Sequence, residues 1–90
     1  MGNQTGAAVT LHRIAGGRAE ALEFMVGPDT RNVNVPLKGF KLKKNIILAS
    51  ISHGGETIIP DGNSTFRPGD SVIIVTTREE PILNFNDIFA

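Results

Sequence analysis

The chain has 90 residues, 40% of them hydrophobic, with nine Lys and Arg balanced by nine Asp and Glu and no Cys. The missing cysteines exclude a disulfide frame or a thiolate metal site, and the neutral balance lacks the electrostatic footprint of a general nucleic-acid binder. No apolar run approaches the ~20 residues that span a bilayer, and residues 1–6 carry no basic-then-apolar leader, so direct membrane insertion is not expected.

A chain this short suits one domain, here 1–90 with a core over about 7–77. Domains of this size bury only ~60% of the surface that the unfolded chain exposes. Pairing a further apolar face with a second copy is a common remedy.

Residues 1–6 are small and polar and are expected to fray. Residues 7–14 alternate loosely, with Val9 and Leu11 on one face of an expected strand. Ala15-Gly16-Gly17-Arg18 reads as a turn. Residues 20–26 have helix-forming composition, yet Leu22, Phe24 and Val26 alternate with Glu23 and Met25, and Gly27-Pro28-Asp29 ends the segment. The alternation predicts a strand that hairpins with the first.

Asn34 is a candidate cap for a helix of one or two turns, with Pro36 in its first turn and Leu37 and Phe40 on one face. The apolar run 46–51 predicts a strand buried on both faces. His53-Gly54-Gly55-Glu56 predicts a tight reversal into a short strand over 57–60. Asp61-Gly62-Asn63 and Phe66-Arg67-Pro68-Gly69-Asp70 are further turns before a final strand over 71–77, with Val72, Ile74 and the Thr76 methyl on one face. Residues 78–80 leave the sheet. Ile82, Phe85 and Phe89 then repeat at helical spacing and predict a C-terminal helix over about 81–89. The expected fold is therefore α+β: a small β-rich domain with hairpins, a short helix between the second and third strands, and a C-terminal helix.

No catalytic set emerges. His12 and His53 lie in different elements and lack metal-ligand spacing. Glu79 and Glu80 are sequence neighbours, whose side chains point apart. Ser50, Ser52, Ser64 and Ser71 sit in no nucleophile elbow. Gly16-Gly17 and Gly54-Gly55 read as turn glycines, since no phosphate-loop pattern surrounds them. Lys38, Lys41, Lys43 and Lys44 read as a solvated basic face. The chain is expected not to be an enzyme.

The ordered run from Asn45-Ile-Ile-Leu-Ala-Ser-Ile through Gly-Gly-x-x-Ile-Ile-Pro and Asp-Gly-Asn-Ser to Pro-Gly-Asp-Ser-Val-Ile-Ile-Val-Thr resembles the RCK-C (TrkA-C) domain of potassium uptake regulators. Val35-Pro-Leu-Lys-Gly-Phe and Glu20-Ala-Leu-Glu-Phe-Met-Val resemble earlier segments of that family. The resemblance implies a homodimerising domain that follows a Rossmann-type, dinucleotide-binding regulator domain. It also implies a cytoplasmic ring against a membrane potassium channel or transporter subunit. The chain itself lacks the Rossmann fingerprint.

Some members of the family bind a nucleotide, cyclic di-AMP, through an Ile-Arg pair and an Asn that opens the next strand. By that resemblance the ligand-binding residues here are Leu42, Lys43, Asn45 and Ile46. Lys43 lacks the planar fork of arginine, so another small ligand, or assembly with no ligand, stays open beside cyclic di-AMP.

Overall fold

A computed structural model describes residues 8–77 and 79–90. The expectations for residues 1–6 and for Arg78 lie outside the described residues. Five strands form one antiparallel sheet: β1 (Ala8–Ile14), β2 (Ala19–Met25), β3 (Ile46–His53), β4 (Glu56–Ile58) and β5 (Ser71–Thr76). Their spatial order is β1-β2-β5-β3-β4, so the last strand in sequence sits at the centre. The expected β1–β2 hairpin and the β3–β4 reversal are both present. Gly54 and Gly55 have φ of 57° and 86°, the two positive values that a tight two-residue hairpin requires.

The alternation read from the sequence sets the inner face. Leu22 pairs with Ile74 and Phe24 with Val72 across β2 and β5, and all four are buried. On β3, Ile46 and Leu48 point inward, a register shift follows between Leu48 and Ser50, and Ile51 then faces inward. That shift is a β-bulge, which lets the spacing 46, 48, 51 stay on one face. The expectation that the run is buried on both faces is corrected, because Ile47 is 66% exposed.

Loops rather than helices cover the inner face. Three short 3-10 turns occur among the described residues, at Ala15–Gly17, Leu37–Gly39 and Phe85–Ile88. The α component expected between β2 and β3 and at the C-terminus is thus corrected. Asn34 has φ of 62° and caps no helix. The backbone of that segment bonds instead across to the loop before β5: Asn34 N–H donates to Phe66 O at 2.8 Å, Leu37 N–H to Ser64 O at 3.0 Å, and Lys38 N–H to Gly62 O at 3.0 Å.

At the C-terminus, Asn84 and Asp87 close a capping box around one turn. The chain then becomes extended, and Phe89 bridges antiparallel to Leu42. Lys43 N–H donates to Ile88 O and Ala90 N–H to Lys41 O. These partners end the helix early while Ile82, Phe85, Ile88 and Phe89 still bury.

All five phenylalanines join one cluster. Phe85 stacks on Phe24 of β2, with ring centroids 5.3 Å apart and planes 17° apart. Phe66 lies 5.5 Å from Phe85, and Phe40 meets Phe89 edge-on at 5.2 Å. Such pairs contribute ~0.5–1.5 kcal/mol each beyond area burial. Removing the Phe85 ring leaves a cavity beside Phe24, Phe66 and Phe89. Phe85→Ala is therefore expected to lower unfolding free energy by about 3–5 kcal/mol, and Asn84→Ala by about 1 kcal/mol. Urea denaturation of both variants, with unchanged slope, checks the pair.

Candidate functional site

The one buried ionisable side chain among the described residues is Asp70, 2% exposed, in the turn before β5. A carboxylate taken out of water needs charged or hydrogen-bonding partners. Its Oδ1 binds Nδ1 of His53, the last residue of β3. Its Oδ2 accepts the Arg67 backbone N–H at 3.0 Å, which closes the Arg67-Pro-Gly-Asp70 turn from within. The same turn is joined to the end of β2: Val26 N–H donates to Asp70 O and Gly69 N–H to Val26 O, both at 2.8 Å.

On its far side the imidazole meets the guanidinium: His53 Nε2 lies 2.8 Å from an Arg67 terminal nitrogen. Arginine only donates, so Nε2 accepts and the ring proton sits on Nδ1, donated to Asp70. A relay of carboxylate, imidazole and guanidinium results. It fixes the tip of the β3–β4 hairpin over a cleft of about 330 Å³, toward the small end of the range for ligand pockets. The nitrogen that a general base would use is occupied by Arg67.

A second depression of about 490 Å³, between β2 and the end of β5, is lined by Arg13, Arg18, Glu20 and Glu79 among others. Part of its charge is spent in the Arg13–Glu20 pair at 3.6 Å. It brings no buried ionised group to its surface.

The four residues singled out by resemblance fall close together at the start of β3 but face different surroundings. Leu42 is half-buried against the core and bridges to Phe89. Ile46 is in the core. The Lys43 backbone bonds the C-terminal turn. Asn45 is exposed, with φ of 65°, and its carbonyl accepts from Thr77 N–H at 3.1 Å. Asparagine is among the few residues that adopt this left-handed conformation readily, so the turn into β3 already accounts for it. Asn45 also lines a depression of about 500 Å³ together with Thr77, Glu79 and Glu80. Its lining among the described residues is polar and includes both neighbouring glutamates.

Sequence reasoning assigns Asp70 only to a turn and His53 to an exposed one. The imidazole is indeed 59% exposed. The missed signal is the acid placed directly against an apolar central strand, where its burial demands a partner.

The sequence profile of the TrkA-C domain family matches residues 21–89. The chain is 38% identical over 65 residues to "Trk system potassium uptake protein TrkA homolog 1" of Methanosarcina mazei, covering 72% of this chain and 14% of that protein. It is 30% identical over 73 residues to "Trk system potassium uptake protein TrkA homolog" of Archaeoglobus fulgidus, covering 81% of this chain and 17% of that protein. A second Methanosarcina mazei protein, "TrkA homolog 2" of the same system, is 36% identical over 64 residues. The chain thus spans between a seventh and a sixth of the length of the first two relatives.

The relay makes an unequal prediction for its members. Asp70→Ala strips the partner from the Arg67 amide and from the imidazole and is expected to cost about 2–4 kcal/mol. His53→Ala, at an exposed position, is expected to cost about 1 kcal/mol or less. Equilibrium urea unfolding of the two variants side by side measures the difference.

Proposed function

The chain belongs to the TrkA-C domain family, and from that premise we propose that it is a regulatory, self-associating and ligand-responsive domain of a potassium-uptake assembly. Its span of 14% and 17% of two relatives supports the role of one domain among several. In this reading its companions are a Rossmann-type regulator domain and a membrane potassium channel or transporter subunit, on the cytoplasmic side. No helix among the described residues is long and apolar enough to cross a membrane.

The observation that carries self-association is the outer face of the sheet, which no element among the described residues covers. Ala21, Val75 and Ile47 form one cross-strand row there. Ile73 lies in the next row, and Met25, 46% exposed, extends the apolar area. Around it Thr10 and Ser71 both donate to the Glu23 carboxylate, at 3.2 and 2.6 Å, so that acid is held within the face by its neighbours. In a two-fold dimer the same apolar rows of both copies would meet each other. A stable homodimer needs about 800 Å² from each partner.

Light scattering of the full chain is expected to give a dimer. Ile47→Lys, which puts a charge into the row, is expected to weaken it at least tenfold. A wild-type chain that stays monomeric up to high micromolar concentration would overturn the self-association. The residues named by resemblance around Asn45 have a separate test. Calorimetric titration with cyclic di-AMP is expected to give a stoichiometric heat that Asn45→Ala abolishes if they form the ligand site, and no saturable heat overturns that part of the reading.

A further inference from the structure

The cleft under the β3–β4 hairpin holds more polar capacity than the fold uses. The Glu56 carboxylate, the Asn34 amide and the Thr65 hydroxyl line it and bond to no side chain or backbone group among the described residues. The Arg67 guanidinium meets the imidazole but no carboxylate among them. Ile51, buried, and Ile58, half exposed, supply the apolar lining. Asp70 also lines the cleft, but both of its oxygens are engaged.

Two opposite charges are therefore open at one small site. A simple anion gains at Arg67 and is opposed by Glu56 and by Asp70 behind the imidazole. A simple cation gains at Glu56 and is opposed by Arg67. Only a ligand that carries both signs matches both groups. We propose that the cleft binds a small zwitterion of the α-amino-acid class. Its carboxylate pairs with Arg67, its ammonium with Glu56, and an apolar side chain rests on Ile51 and Ile58.

His53 acts here as a positioning residue. Its Nε2 occupies one Arg67 donor and aims the guanidinium, while the remaining donors of the fork stay available to a carboxylate. Asp70 in turn fixes the imidazole. Asn34 and Thr65 supply further polar contacts at the wall.

The inference deepens the ligand-responsive part of the reading above, yet its site lies within one protomer and away from the outer face. The test is titration of the isotope-labelled full chain with L-leucine, 4-methylpentanoate and 3-methylbutylamine, followed by amide NMR. Leucine is expected to shift Asn34, Glu56, Thr65 and Arg67 saturably. The two half-ligands, each lacking one charge, should bind about tenfold more weakly, as should leucine to Arg67→Gln and to Glu56→Gln. His53→Phe should weaken leucine binding while Arg67 remains present, as expected of a group that aims the guanidinium. Ile47→Lys should leave binding unchanged, so the fate of the dimer and the fate of this site are read separately. Absence of saturable shifts, shifts confined to the Asn45 end of the sheet, or equal affinity for a half-ligand would each overturn the assignment.

Discussion

A five-stranded sheet with nothing longer than a single 3-10 turn against it must hide its inner face with loop side chains. The stacked contact between Phe24 and Phe85 is where this begins. Phe24 belongs to β2 and Phe85 to the C-terminal turn, so one ring pair fixes the last residues of the chain over one of the earliest strands. Phe66 and Phe89 extend the contact to the loop before β5 and to the bridge with Leu42. Rings suit this task because each buries ~150–250 Å² with only two rotatable bonds. Smaller side chains on short loops would leave the strand side chains wet. The Arg31 guanidinium 5.7 Å from the Phe89 ring centre, and the Arg31 N–H donated to Asn86, close the outer edge of the cluster.

Among the described residues the loops cover one face of the sheet and leave the other open. Ile47 and Met25, 66% and 46% exposed, stand on that second face. The same economy that produces the phenylalanine cap therefore produces an adhesive sheet surface. The proposed assembly with a copy would cover the half of the sheet that the described loops leave open.

Much of this was legible in the residues. Alternation in 20–26 overruled the helix propensity of Ala21, Leu22 and Met25, because burial on a sheet outweighs intrinsic preferences of a few tenths of a kcal/mol. The glycine pair after His53 located the hairpin, since few residues accept two consecutive positive φ values. The helices were not legible. Ile82, Phe85 and Phe89 repeat as a helix would, but their burial is met by one capped turn followed by an extended bridge. The partner of that bridge, Leu42, lies 47 residues earlier and leaves no local mark. The bulge at Ala49 had the same character: a continuous apolar run conceals which residue is extra, and only pairing with β5 decides it. At the site, the family resemblance pointed to Asn45, which stands exposed at the entry to β3. The Asp70 relay depends on contacts 17 residues apart and became visible only once burial was known.

That relay also explains why an exposed hairpin can carry a defined binding geometry. β4 has three residues and pairs only with β3, so ladder bonds alone hold its tip weakly. Short edge hairpins of this kind open at low cost. The carboxylate of Asp70 cannot move with them, because its turn is bonded to Val26, the residue after β2, and continues directly into the central strand. The imidazole therefore ties the least stable element of the sheet to its most stable one. Glu56 pairs directly with His53 across the hairpin, so its position inherits the same restraint, while Arg67 is held from the opposite side by the turn it begins. Two open charges on otherwise mobile segments are in this way referred to one buried carboxylate, and their separation is set by the core rather than by the loops.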